Sequence, residues 1–413
     1  MNLINPKKAL DKTGGVVETK SYINKLKLIK NLYTKGSNTA GEMCNEVGIS
    51  LPTVNSLLSD LMSSGEIIKH GRAESQGGRK PDLYRLSDDS FYIISVDINK
   101  FRTRVAIYNS LNKAITTAEI LKQQLNNERE TFDAICDFVI RHKEKSGLED
   151  SKIIAVGISM PGLIDSVNGI NHTYLKFGKK SLVENFEAKF GRQVYLENDA
   201  RAMTLAEFKF GQNESYKNVL GIFIGWGIGI GIIIDGKLYH GATGFAGEFS
   251  HSPIFESLDT NTINKNTSLE TIASGTAIVK MANQAIQLDE DSILARMAKE
   301  NNNEIEPALV VEAALSGDQR AITILSEAGL FLGRGISILI QLLNPELIIL
   351  GGSIAEAKQY LTIPIQQALN IYSMPKTRES TELVIYKLGK EVGLLGGVAV
   401  VNEKIFEDIF DSY

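Results

Sequence analysis

Residues 219–236 read VLGIFIGWGIGIGIIIDG. The runs VLGIFIG and GIGIIIDG are apolar and rich in isoleucine, with no charge before Asp235, so both read as buried strands. Gly225, Gly227, Gly229 and Gly231 surround Trp226, the only tryptophan of the chain. Glycine repeated along a strand means that something approaches the backbone closely, either a neighbouring element or a ligand.

Working outward, helices are expected over 269–287, 307–315 and 318–343, followed by a strand at ELIILGG (346–352). Upstream, FYIISVDI (91–98), RTRVAIYNS (102–110) and NKAITTAEI (112–120) read as three successive strands. A helix over 129–145 and the strand KIIAVGISM (152–160) come next. The two sets repeat in outline but not in sequence, which predicts two similar α/β lobes with a ligand cleft between them.

The first 88 residues follow a different pattern. KSYINKLKLIKNLYTK (20–35) places Ile23, Leu26, Ile29 and Leu32 at helical spacing with lysines outside. A short helix over 39–47, the turn Gly48-Ile49-Ser50 and a second helix over 51–62 have helix-turn-helix spacing. Gly48 suits a left-handed stop, Ser50 an N-cap, and Pro52 a first turn. Two short strands, 66–69 and 83–86, then flank HGRAESQGGRKPD and predict a hairpin wing.

At 413 residues the chain is too long for one ordinary core, and 43% hydrophobic with 23% charged residues is usual for a globular protein. No signal-peptide core and no run of about 18 apolar residues is evident, so a cytoplasmic protein without a membrane partner is expected. Cys44 and Cys136 alone give no disulfide framework. Residues 1–88 carry 13 Lys/Arg against 9 Asp/Glu, while the remainder carries 31 against 40. A basic head on an acidic body suits DNA, because neutralised phosphates supply much of the affinity. The expected domains are a winged helix-turn-helix at 1–88, a first lobe at 89–200 and a second lobe at 201–413. A C-terminal helix near 390–413 is a candidate to pack on the first lobe.

Six stretches, SMPGLID (159–165), LENDAR (196–201), IGWGIGIGIIIDG (224–236), GFAGEFSH (244–251), LETIASG (269–275) and NPELIILGGSI (344–354), together with the head, carry a resemblance to the ROK family. The fusion resembles its NagC/Mlc/XylR-type repressor branch, over about residues 20–400. The resemblance implies a two-lobed, actin-like (RNase-H-like) sugar-kinase fold. It also implies a sugar-binding set of Gly162, Asn198, Asp199, Glu248, His251 and Glu270, with Asp199 at the position of the kinase general base. A carboxylate suits both tasks, since it accepts hydroxyl hydrogen bonds and can take a proton. A purely structural reading stands beside this one, in which Asn198 and Asp199 end a strand and cap a helix over 200–211.

The sequence departs from the family at four places. The family's DxGGT turn is here Asp97-Ile98-Asn99-Lys100-Phe101, and its GTGIG turn is Gly225-Trp226-Gly227-Ile228-Gly229. In the first turn the two glycines that let a backbone approach phosphates and the threonine are gone, and in the second Trp226 stands where a hydroxyl would meet the phosphates, so ATP binding and catalysis are not expected. The glycines 225–231 and Gly351-Gly352 are then better read as scaffold. The family's zinc cysteines fall on Asn261, Ile263 and Ser268, none of which supplies a thiolate; neither zinc nor any other cofactor is expected. Ser250 also replaces a glycine beside His251.

For DNA, Pro52, Thr53, Asn55 and Ser56 lie on the early part of the second helix, the part that reaches base edges in this motif. Arg79 in Gly77-Gly78-Arg79-Lys80 resembles the family's minor-groove wing, and Arg72 and Lys80 complete the expected DNA set. The expected partners are operator DNA, a carbohydrate or sugar-phosphate effector, and further copies of the chain as a homodimer or dimer of dimers. The alternatives are an active sugar kinase with a DNA-binding head, and a body that recognises a protein such as a phosphotransferase-system subunit.

Overall fold

The computed structural model describes residues 16–73, 80–253 and 268–411. It contains two compact units, Met1–Glu197 with Leu394–Tyr413, and Asn198–Gly393.

The first unit begins with α1 (Val16–Lys35), β1 (Asn38–Thr39), α2 (Ala40–Val47), α3 (Leu51–Ser63), β2 (Ile67–Arg72) and β3 (Asp82–Leu86). Local chemistry sets each boundary. Thr39 and Glu42 form a reciprocal capping box at the start of α2, and Gly48 ends it with φ of 72°. Ser50 then accepts from the Thr53 N–H, with Pro52 in the first turn. Leu26, Ile29 and Leu32 of α1 are buried as the spacing predicts; Leu28 joins them, while Ile23 is half-buried. Strands β1, β3 and β2 make one small sheet in that order.

The rest of this unit comprises β4 (Tyr92–Ile98), β5 (Arg102–Asn109), β6 (Glu119–Lys122), α4 (Arg129–Lys145), β7 (Ile153–Met160), β8 (Ile164–Asp165), β9 (Ile170–Asn171), α5 (Leu182–Phe190) and β10 (Gln193–Asn198). The stretch 112–120 is not the predicted strand: residues 112–118 turn back with a single bridge between Tyr108 and Ala114, and the strand starts at Glu119. The sheet order is β10-β7-β4-β5-β6, with Phe132, Ile135, Val139 and Phe186 of α4 and α5 in its core.

The second unit holds α6 (Asp199–Phe210), β11 (Val219–Ile224), β12 (Ile228–Ile234), β13 (Lys237–Leu238), α7 (Leu269–Ala273), α8 (Gly275–Leu288), α9 (Ile293–Glu300), α10 (Pro307–Leu315), α11 (Gln319–Leu343), β14 (Leu347–Gly351), α12 (Gln359–Tyr372), α13 (Pro375–Glu379) and β15 (Glu382–Ile385). Its sheet runs β13-β12-β11-β14-β15. In chain order both large sheets therefore share the arrangement third, second, first, fourth, fifth, which is the predicted repetition. The helix expected over 269–287 is two helices, broken at Ser274, whose extended backbone (ψ 163°) caps α8. Helix α11 is long and apolar enough to cross a membrane by composition, yet over half of its most apolar stretch is buried. Its Gly329 and Gly333 lie against the Leu361 and Ile365 carbonyls of α12.

The last helix, α14 (Val392–Asp411), returns to the first unit. The Ser95 hydroxyl of β4 donates to the Leu394 carbonyl, and a Cβ at Gly157 of β7 would overlap the Gly397 carbonyl at 2.0 Å. Backbone contact of this kind excludes any side chain at 157 or 397.

Candidate functional site

Helix α3 buries Val54, Leu57, Leu58 and Leu61 and leaves Pro52, Thr53, Asn55 and Ser56 exposed. All four candidate base-reading residues therefore lie on its solvent side. Thr53 shares a hydroxyl hydrogen bond with Ser50 (2.8 Å). In the wing, Arg72 and Lys80 are exposed, and Arg72 lies 3.9 Å from Asp82. Gly77, Gly78 and Arg79 lie outside the described residues.

The β4–β5 hairpin closes at Asn99, Lys100 and Phe101, with the Asn99 N–H donating to the Arg102 carbonyl (2.8 Å). No residue of this turn has a left-handed φ, so it forms without glycine. The Asn99 amide donates to Asp97 (3.0 Å) and the Ser159 hydroxyl approaches the same carboxylate oxygen at 3.5 Å. Burial pushes the Asp97 carboxyl up, against the pull of Arg104 and Arg102.

The glycines of 219–236 serve mostly to let α6 approach. A Cβ at Gly229 would sit 2.4 Å from the Ala200 Cβ, and Cβ atoms at Gly221 and Gly231 would sit 2.1 and 2.2 Å from the Thr204 hydroxyl. Gly225 has open space beside it; its carbonyl accepts from the Gly275 N–H, and the Trp226 carbonyl accepts from Thr276 N–H (2.9 and 3.0 Å). The first amides of α8 are thus already engaged. Gly351 packs against the Phe223 ring and Gly352, with φ of 87°, against the Ile224 backbone.

Within the second unit, three consecutive residues of β12 gather the polar set. The Ile228 N–H donates to Glu270 (2.8 Å), Gly229 lies beneath Ala200, and the Ile230 carbonyl abuts Gly247 at 2.2 Å from its notional Cβ. Glu270 of α7, Asp199 at the start of α6 and Glu248 after Gly247 are thereby anchored to one strand end. Glu248 and His251 are exposed and 3.7 Å apart. Burial pushes the Glu270 carboxyl up; the Ile228 N–H and nearby His251 pull it down, and Glu248 adds to the rise. Asn198 also caps α6 by accepting from the Arg201 N–H (3.2 Å), and Asp199 accepts from the Ala200 N–H (2.9 Å). The capping expected on the structural reading therefore coexists with the candidate ligand role. Gly162 belongs to the first unit; its φ of 109° and the Asn171 amide oxygen, 2.7 Å from a notional Cβ, require glycine there.

Asn261 and Ile263 lie outside the described residues. Ser268 is buried, bridged to Pro253, with its hydroxyl 3.3 Å from that of Thr271. Among the described residues no group of three His, Cys, Asp or Glu side chains is arranged to hold a metal ion.

Arg201 was not foreseen. Its guanidinium is fully buried and donates to the Gly244 carbonyl (2.8 Å), tying the Asn198-Asp199 corner to the loop that carries Glu248. A cation two residues after Asn-Asp, among alanines and leucine, was the available signal.

Residues 93–404 match the family model described as ROK family. The xylose repressor of Caldicellulosiruptor bescii is 26% identical over 383 residues, which cover 92% of this chain and 95% of that protein. A glucokinase of Halalkalibacterium halodurans is 27% identical over 319 residues, 76% of this chain and 96% of that one. Among solved structures, a ROK family transcriptional regulator described as a homolog of the E. coli MLC protein superposes with a TM-score of 0.77 at 24% identity. That match covers 95% of this chain and 98% of the other, and it shows the shared fold. With the family model spanning most of its length, the chain belongs to the ROK family.

Proposed function

We propose that the chain is a cytoplasmic, DNA-binding transcriptional repressor of carbohydrate-utilisation genes. In this reading its kinase-like body senses a sugar or sugar phosphate. The observation that carries it is helix α3, which turns Thr53, Asn55 and Ser56 to solvent while its aliphatic residues fill the head's core. A helix-turn-helix that exposes this polar stripe has the donors and acceptors to read base edges. Two half-sites related by a twofold axis call for a homodimer or a dimer of dimers.

The second unit supports carbohydrate binding because hydroxyls need convergent acceptors and donors. Asn198, Asp199, Glu248, His251 and Glu270 supply these around the start of β12. Sugar binding controls DNA only to the extent that it favours one conformation over another.

In this reading the body binds no nucleotide. Asn99 already occupies Asp97, and the α8 amides that face Trp226 are engaged by carbonyls. A structural zinc does not fit either, since Asn261, Ile263 and Ser268 carry no thiolate.

An active sugar kinase is the second reading, favoured by Asp199 and by the glucokinase relative. Incubating the full chain with ATP, magnesium and a panel of hexoses while following ADP separates the two. Turnover lost in Asp199→Asn would establish the kinase and end the sensor reading. In the DNA arm, Asn55→Ala should weaken specific operator binding by about 1–3 kcal/mol at fixed salt with the melting temperature unchanged. An unaltered affinity would remove α3 from recognition.

A further inference from the structure

We propose that a basic pocket of the first unit, at the joint between the winged-helix head and the lobe behind it, binds a small phosphate-bearing anion. The pocket is an open recess of about 320 Å³, and Lys35, Ser37, His70, Arg85, Asp88 and Lys113 line it. Lys35 ends α1 and Ser37 follows it, His70 and Arg85 belong to the wing strands, and Lys113 comes from the turn after β5. The cations therefore arrive from both sides of the joint.

Charge and donor geometry select the ligand class. Three permanent cations face one carboxylate, Asp88, and that carboxylate is held by Arg85 Nη1. Arg85 Nε donates to His70 Nδ1 (3.2 Å), which leaves Nε2 as the ring's N–H donor. Lys35 has a 3.7 Å pair with the exposed Glu46 and a weaker pull on Glu42, and Lys113 makes no ion pair among the described residues, although its charge acts on Asp88. Two ammonium groups, an imidazole N–H and the Ser37 hydroxyl thus remain for an acceptor-rich anion, the donor set that a phosphate takes. The volume is at the lower end of small-ligand sites. No residue of α3 lines the pocket, which favours a small molecule over the DNA backbone.

The position gives such an anion leverage. Next to Lys113, the amide oxygens of Asn112 (2.6 Å) and of Asn402 in α14 both lie within hydrogen-bonding reach of the Tyr33 hydroxyl of α1, whose single proton serves one of them at a time, and the Asn402 amide donates to Asn112 (3.1 Å). A ligand that pairs Lys35 with Lys113 binds only while the head is docked, so it stabilises that arrangement by its differential affinity. The pocket does not depend on the proposed carbohydrate site.

Isothermal titration of the full chain with inorganic phosphate and with pyrophosphate, at constant ionic strength set by chloride, tests this. Saturable binding is expected, about tenfold weaker in Lys113→Gln and abolished in the Lys35→Gln, Lys113→Gln double variant. Both lysines are exposed, so the melting temperature without ligand should hold. Asp199→Asn should bind phosphate like the parent, which separates this pocket from the carbohydrate site. The proposal is overturned if neither anion binds saturably, if the lysine variants bind them as well as the parent, or if those variants weaken duplex DNA alone.

Discussion

Replacing Gly229 with alanine would place a methyl group 2.4 Å from the Ala200 Cβ, where carbon atoms rest comfortably at about 3.8 Å. The φ of Gly229 is not left-handed, so the backbone itself accepts alanine and the whole effect is steric. The missing distance, about 1.4 Å, can come only from moving α6 off β12. Overpacking of this kind costs about 1–3 kcal/mol. Taking about 2 kcal/mol, a unit of this size should melt about 4–8 °C lower. Ala200→Gly removes the opposing methyl at a helix cost of up to about 1 kcal/mol. Calorimetry of the two single variants and the double variant closes a cycle in which the double should recover about 1–2 kcal/mol relative to additivity. A Gly229→Ala protein that melts within about 1 °C of the parent, or a double variant that is simply additive, would refute the claim that this glycine exists for helix–strand approach.

Tyr33→Phe removes the hydroxyl that lies between the Asn112 and Asn402 amide oxygens, and should cost about 1–3 kcal/mol while raising hydrogen exchange in 109–113 and 398–404. Exchange unchanged there would show that the hydroxyl does not hold the joint. The buried Glu207 accepts from the Lys387 and Leu388 N–H groups (3.0 and 2.7 Å), and burial pushes its carboxyl above the ordinary 4.5. The folded protein thus holds this proton more tightly than the unfolded chain, so the contribution is full below that ordinary value and is lost as pH rises through the folded one. Urea titrations from pH 4.5 upward should show the parent losing ground to Glu207→Gln; a gap that moves in the parent's favour would contradict the assignment.

Elements with strong local signals were legible. Helix 129–145 and helix 307–315 form at the stated residues, because their apolar spacing and flanking residues agree. NKAITTAEI carries strand-forming residues, yet Asn112, with φ of 58°, turns the chain and the strand begins only at Glu119. The Ser274 break went unseen because serine is tolerated within a helix as well as at its start. In the site, the glycine run announced a close approach but not by what; Ala200 and Thr204 supply the answer only once α6 is laid on the sheet. The pocket residues Lys35, His70, Arg85 and Lys113 are spread over 79 positions and share no motif. No linear pattern brings them together.

The contact between Tyr33 and Asn402 also has a timetable. The two residues are 369 positions apart, which at synthesis rates of about 5–20 residues per second means an interval of roughly 20–75 s. Throughout it, the emerged head can fold around its own leucines, while its tyrosine waits for the final helix. A chain assembled in this order completes the contact between its head and α14 only after residue 402 has left the ribosome.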